Sequence, residues 1–442
     1  MWYNRDMSTI LERGVAARLP RGRLERARVL VIWEGSLATG FLTCTSGTVL
    51  IGFALWLGAT PFHIGLLTSL PAFAALAQLL APYFTERHGQ RKRLMILMAG
   101  GQRALWLGVA ALPFLVLPPG IGIALLIALV TVSAMLGAVG AVPWLSWMAD
   151  LVPKDMRGRY FATRNLIMGT VGLILGPVVG LFLDQWQGWA GTGSPFGFVI
   201  TFAAGAMLGL LAVWLLQRIV EPPMAPGSGE SLVRQLILPW KNANFRRLIF
   251  FRGYYIFVVN LAGPFFVVYH LQGLGLSFGM VYILNTVGNL AMLLTLRWWG
   301  RLCDRWGTRK VMLVNTIGKG IFPLFYIGMA VTAPGSPTAL TWVLLAAAQV
   351  FSVFEGGLEL AANNLQINIA PREHNTAYLA TYAAVFSLCS AIPPLIGGAL
   401  LSHPSAAQVT IGPLNLVGYQ LLFVASGLLR LSSVFLARRV RE

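Results

Sequence analysis

Asp304-Arg305-Trp306-Gly307-Thr308-Arg309-Lys310 repeats, in pattern, the earlier run Glu86-Arg87-His88-Gly89-Gln90-Arg91-Lys92. The two runs lie 218 positions apart (304 minus 86), nearly half of the 442 residues. The same offset recurs downstream. Pro153-Lys154-Asp155 is followed by Pro371-Arg372-Glu373, Tyr160-Phe161-Ala162-Thr163 by Tyr378-Leu379-Ala380-Thr381, and Gly180 by Gly398. Each charged run stands between long apolar stretches. The chain therefore reads as two similar halves, each a set of helices that cross a bilayer.

Composition agrees. Mean hydropathy is +0.71 and only 11% of residues are charged. Lipid accepts apolar surface on every face of a helix, whereas a soluble domain does not. A crossing takes about 20 apolar residues. Twelve such stretches are predicted, at 30–57, 62–84, 94–116, 120–149, 160–183, 197–217, 248–271, 277–299, 311–332, 340–366, 376–401 and 412–436. The expected organisation is a basic arm (1–29), a six-helix bundle (30–217), a linker (218–247), a second six-helix bundle (248–436) and a basic tail (437–442).

The net charge of +18 is placed asymmetrically. Arg5, Arg13, Arg18, Arg21, Arg23, Arg26 and Arg28 crowd the arm. The loops at 85–93, 150–159, 218–247, 300–310 and 367–375 all carry Lys or Arg, and the alternate connections carry none. This is the positive-inside pattern, with both termini cytoplasmic. It leaves little reason to invoke nucleic acid. In the linker, Pro222-Pro223 and Gly227-Ser228-Gly229 read as irregular, and Leu232 to Arg247 as a basic amphipathic helix on the inner leaflet or a solvated tether. Cys44, Cys303 and Cys389 show neither a disulfide framework nor metal spacing. Gly318-Lys319-Gly320 lacks the rest of a phosphate-binding loop, and no H-E-x-x-H occurs, so neither ATP-driven transport nor an intramembrane zinc protease is expected.

Gly300-Arg301-Leu302-Cys303-Asp304-Arg305-Trp306-Gly307-Thr308-Arg309-Lys310 resembles the signature loop "motif A" of the major facilitator superfamily. The first-half copy is degenerate, with Pro82 in place of the first glycine and Glu86 in place of the aspartate. With the twelve crossings, the resemblance covers the whole chain. It implies an all-α membrane fold of two pseudo-symmetric six-helix bundles and a secondary transporter that works by alternating access, not an enzyme. It also implies a conformational latch formed by Glu86, Arg87, Gly89, Arg91, Lys92, Gly300, Asp304, Arg305, Gly307, Arg309 and Lys310, whose arginines would pair with acids at neighbouring helix ends. Gly172, Gly176, Pro177 and Gly180 partly resemble the Gly-Pro "motif C" of drug/proton antiporters, with Pro393, Pro394, Gly397 and Gly398 as the second-half counterpart. Such residues also serve ordinary close packing and kinks.

Ionisable residues inside the crossings carry the most functional information, because charge in a bilayer is costly. Glu355 and Glu359 are four apart on one helix face, where double ionisation is disfavoured. Together with Glu34 they are the candidates for proton coupling, the alternative being a structural pair neutralised by a cation such as Lys319. Glu34 and Arg252 occupy equivalent positions in the repeat, so a pair across the two halves is one expectation and interfacial snorkelling the other. Candidate cavity residues are Tyr255, Asn260, Asn285, Asn289 and Arg252. The combined expectation is proton-coupled efflux of a small amphipathic or cationic solute by a monomer in a prokaryotic plasma membrane, without metal or cofactor. Uptake by symport, a lipid flippase and a non-transporting receptor or assembly factor are the alternatives.

One test follows from the charge asymmetry. Cysteines placed at Gly227 and Trp306 should react with a membrane-impermeant maleimide only once the cytoplasmic face is exposed. Labelling of either from outside intact cells would reverse the orientation.

Overall fold

The computed structural model describes residues 21–80, 90–115, 117–118, 120–153, 155–222, 237–329, 337–369, 375–403, 408–411 and 414–441. Twelve of its helices are long and apolar enough to cross a bilayer. They are α1 (Gly22–Trp56), α2 (Pro61–Leu79), α3 (Arg91–Phe114), α4 (Ile121–Leu151), α5 (Arg157–Ala190), α6 (Phe196–Arg218), α7 (Ala243–Gly273), α8 (Phe278–Trp306), α9 (Thr308–Gly328), α10 (Ala339–Gln366), α11 (Thr381–Ser402) and α12 (Gly418–Ala437). Helices dominate because a peptide group in hydrocarbon has no water to bond, and a helix satisfies its own.

Several boundaries differ from the hydropathy reading. Helix α1 begins some two turns earlier, because the arginines from Arg21 to Arg28 continue the same helix below the apolar stretch. Helices α5 and α8 run on to Ala190 and Trp306, which brings Asp184 inside α5 rather than into a loop. Helix α12 starts at Gly418, not 412. The stretch before it forms an antiparallel hairpin of Gln408–Ile411 with Leu414–Val417. Of the two readings of 232–247, an amphipathic helix or a solvated tether, the described part forms neither as a separate element: a short turn at Leu238–Lys241 leads straight into α7, which begins at Ala243.

The repeat is visible in the packing. Within the first half α1 meets α5 and α6, α3 meets α4 and α6, and α2 meets α4. The second half repeats each contact with the corresponding helix. The halves join along two seams, α2 with α11 and α5 with α8. Both seams are closest at the end of the bundle remote from the described termini. A methyl group on Gly180 would lie 2.8 Å from the Cα of Gly279, and one on Gly398 would lie 2.6 Å from the carbonyl oxygen of Pro61. These two contacts are repeat equivalents, since 180 and 398, and 61 and 279, each differ by 218. Glycine is required at both because backbone meets backbone.

The next residues along the same helices add polar locks. The Asp184 carboxylate accepts from the Phe278 and Gly279 amides, 2.8 Å each, and so caps the start of α8 from the other half. Its repeat equivalent, Ser402, accepts from the Phe62 amide at 3.1 Å, at the start of α2. At the end that carries the termini, the charged contacts of the described residues stay within a half. Arg91 binds Asp150 (2.5 Å) and Glu221 (3.2 Å), and Arg309 donates to the Arg438 carbonyl.

This arrangement predicts that the remote end is held shut by Asp184. Two charge-assisted hydrogen bonds are worth about 2 kcal/mol or more, which is over tenfold in a two-state population. Spin labels at the exposed Gln185 and Ser277 should show one short distance in the parent protein. A second, longer distance should appear in Asp184→Ala. An unchanged distribution would remove Asp184 from the gate.

Candidate functional site

Beside the α5–α8 seam lies a cavity of about 550 Å³, lined by α1, α5, α8 and α10. Its polar groups are uncharged: Thr43, Ser46, Thr48, Tyr282, Asn285, Thr286, Asn289, Gln349 and Ser352. Gly169, Gly172, Gly176, Leu173, Met292 and Leu293 supply the apolar part.

Two helix breaks face this space, and local sequence explains the first. In α1 the helix stops at Thr45 and resumes at Thr48. Thr43, Thr45 and Ser46 turn their hydroxyls back onto the carbonyls of Thr39, Phe41 and Leu42. Such back-bonding bends helices. Gly47 then takes φ of 60°, a left-handed conformation that a residue with a Cβ seldom adopts. In α10 the first segment ends at Val350 and the second begins at Val353, joined by tighter bonds from Ser352 to Gln349 and from Glu355 to Ser352. Glu355 thus stands in the first turn of the second segment, where a carboxylate complements the helix dipole.

Helix α10 connects the cavity to the acids. Ser352 lines the cavity, and Glu355 and Glu359 follow on the same helical face towards the end that carries the termini. Each acid is held by a cation. Lys319 of α9 lies 2.6 Å from Glu355, and the Arg252 guanidinium of α7 donates to both oxygens of Glu359 at 2.8 and 2.9 Å. Arg252 also donates to the Tyr382 hydroxyl at 2.8 Å. The two cations are buried, while the Glu355 and Glu359 side chains keep 34% and 41% of their surface exposed. The acids are therefore partly exposed and their partners are not.

The expected pairing of Glu34 with Arg252 across the halves does not occur. Glu34 faces Arg164 of α5 at 3.6 Å, and Arg252 is engaged by Glu359 and Tyr382. Position 164 is equivalent to 382 in the repeat, so each half links its first helix to its fifth by the same pair of positions, with the arginine moved from one partner to the other. The pairing stays within a half because α1 packs on α5, and α7 on α11, along buried seams.

Other predicted positions separate. Asn285 and Asn289 line the cavity. Tyr255 does not: it is fully buried in the core of α7 to α10, beside Phe251, and its hydroxyl is unpartnered. Asn260 donates to the Ile256 carbonyl within α7. Arg252 belongs to the acid cluster, not to the cavity wall. In the glycine and proline group, Gly172 and Gly176 face the cavity, Gly180 and Gly398 form the seams, and Gly397 meets the Leu261 backbone of α7. Pro177, Pro393 and Pro394 sit inside α5 and α11.

The latch residues Glu86, Arg87 and Gly89 lie outside the described residues. Arg91 and Lys92 bind Asp150, Glu221, Gln217 and Ile219, all in their own half. Gly307 has φ of 86° and joins α8 to α9, and Asp304 and Arg305 are exposed. The expected acid partners at neighbouring helix ends exist for Arg91. At the equivalent Arg309 a carbonyl takes their place, since Asp150 corresponds to Asn368 and Glu221 to Arg439.

Sequence reasoning passed over Tyr282, Gln349, Ser352, Asp184 and Tyr382. Tyr382 was within reach, as the repeat partner of Arg164. The others declare themselves only when the halves are assembled. Among the described residues no cluster of His, Cys, Asp and Glu could hold a metal ion.

Comparison with known proteins completes the picture. No curated protein matches the sequence. Solved structures match over nearly the full length at low identity. A D-xylose–proton symporter aligns with a TM-score of 0.69 at 15% identity, over 94% of this chain and 98% of that one. A bacterial homologue of the human lysosomal transporter Spinster, inward-facing and occupied, gives 0.66 at 15%, over 94% and 97%. The nucleoside transporter NupG gives 0.63 at 12%, over 95% and 98%. The sequence model of the Major Facilitator Superfamily matches residues 36–318 and 248–441. With its two six-helix halves, its paired seams and this match across nearly the whole chain, the protein belongs to the major facilitator superfamily of membrane transporters.

Proposed function

We propose that this transporter moves a small neutral solute with hydrogen-bonding groups, and that proton binding on α10 drives the movement. The observation that carries this reading is the juxtaposition of an uncharged polar cavity with two partly exposed carboxylates on the same face of a helix that lines it. A cavity lined by amides and hydroxyls matches the solute's own donors and acceptors, and it rejects ligands that leave those groups unpaired. Among the described residues no acid lines it, so a cationic solute loses the support that the sequence lent it. The symporter and the nucleoside transporter among the similar structures agree with a neutral polar cargo.

Glu355 is the proposed proton carrier. When ionised it holds Lys319 and fixes the second segment of α10 against α9. A proton arriving at its exposed side cancels that attraction, and the break at Phe351-Ser352 lets the segment move. Glu359, clamped by Arg252 and Tyr382, ties the same segment to α7 and α11. Glu34 with Arg164 is the matching tie in the first half. By the positive-inside pattern the end that carries the termini is cytoplasmic. The structure is then the inward-facing state, closed outside by the Asp184 and Ser402 caps.

Two measurements test this reading. In a thermal-shift screen, nucleosides or pentoses should raise the melting temperature, and tetraphenylphosphonium should not; the reverse would restore a cationic cargo. In proteoliposomes, Glu355→Gln should abolish movement of the stabilising compound driven by a pH gradient while leaving its exchange. Undiminished gradient-driven transport would move coupling to Glu359 or Glu34.

The ion pair also predicts a stability pattern. Glu355→Met leaves the Lys319 ammonium buried without its partner, at a cost of about 1–3 kcal/mol. Adding Lys319→Met should recover most of the lost melting temperature, and a double variant no more stable than the single would show that the pair is not coupled.

A further inference from the structure

Tyr282 is the one cavity-lining residue whose side chain reaches a backbone group of the other half among the hydrogen bonds of the described residues. From α8 its hydroxyl donates to the Thr43 carbonyl of α1 at 3.2 Å. That carbonyl is available because α1 stops at Thr45, so the amide four residues on no longer turns back to it. The Val49 amide, in the first turn after the break, has no acceptor within its own helix. No side chain caps this turn at Gly47. The Tyr282 ring lies against Gly176 and Gly180 of α5, where an added methyl group would come within 3.0 Å of it. One phenol thus spans the opening in α1 while its ring is fitted into the glycine face of α5.

The geometry points to Tyr282 as a stand-in for the solute. We infer that its hydroxyl occupies the acceptor and donor groups of the α1 break when the carrier is closed at the remote end. These groups belong to the first half and the phenol to the second. Separation of the α5–α8 seam withdraws the phenol and leaves the Thr43 carbonyl and the Val49 amide facing the cavity. A solute hydroxyl, which both donates and accepts, fits this pair as the phenol does. The solute class is therefore one that bears a free hydroxyl, such as a sugar, a nucleoside or an alcohol. Because the empty carrier satisfies its own polar groups in this state, it can return without cargo; loaded, it exchanges one hydroxyl for another. The inference rests on the transport reading above, since it concerns the same cavity.

The test needs neither cargo nor a pH gradient, so its outcome is separable from that reading. Spin labels at Gln185 and Ser277 report the fraction closed at the remote end. Tyr282→Phe keeps the ring against Gly176 and Gly180 and removes only the hydroxyl. The closed-to-open ratio should fall about fivefold, the effect of one neutral hydrogen bond. Tyr282→Ala should fall further, and 4-methylphenol should restore the closed fraction while toluene, of similar shape without the hydroxyl, should not. A Tyr282→Phe distribution equal to the parent's, in a protein whose Asp184→Ala variant does open, would overturn the inference and leave the transport reading standing. Equal restoration by toluene and 4-methylphenol would reduce Tyr282 to a packing residue and overturn it too. If neither Tyr282→Phe nor Asp184→Ala opens the seam, the inference falls together with the gate.

Discussion

A peptide group inside a bilayer must find its hydrogen bond within the protein. That constraint explains why the described chain is almost wholly helical, and also why its exceptions are informative. Where α1 stops between Thr45 and Thr48, the threonine and serine hydroxyls bond carbonyls of the turn before the break, and the Tyr282 phenol takes the Thr43 carbonyl that the helix has given up. Where α10 stops at Phe351-Ser352, tighter local bonds bridge the gap. Non-helical backbone at this depth is tolerated where it lines a cavity. Both breaks do so, and the cavity lies between them.

The charges obey a related constraint. A buried cation is costly without a counter-charge, and the interior places Arg164, Arg252 and Lys319 against Glu34, Glu359 and Glu355. Each pair ties two helices of the same half. The halves are held to each other mainly by close backbone approach at glycines and by the carboxylate and hydroxyl caps at Asp184 and Ser402. This division suits a machine whose halves move as bodies: strong ties lie inside each half and replaceable ones between them. The second segment of α10 is where the two kinds meet, since it carries both acids and starts beside the cavity.

Repeat symmetry is kept in the backbone and relaxed in the chemistry. Gly180 with Gly279 matches Gly398 with Pro61, and the capping residue is Asp184 in one seam and Ser402 in the other. Glu34 with Arg164 becomes Arg252 with Tyr382, which frees Arg252 to recruit Glu359 from α10. The first half holds one acid in this region and the second half two.

Sequence alone determined the twelve crossings, the two-fold repeat and the family, and it singled out Glu355, Glu359 and Asn285 as candidates. Each is a local property: apolar length, spacing, or a charge that no lipid would accept. It did not determine who pairs with whom. Glu34 and Arg252 are equivalent in the repeat, yet each lies on a seam within its own half, and partner choice depends on which helices touch. Tyr255 looked like a cavity residue because its helix contributes to the interior, but its angular position turns it into the core of α7 to α10. Asp184 was hidden by an underestimated helix length, since hydropathy fades before the helix does. Tyr282 was an ordinary aromatic residue until assembly set it across the opening in α1. Hydrophobicity and periodicity are written along one chain, whereas the polar bonds that hold one half to the other require both halves in place.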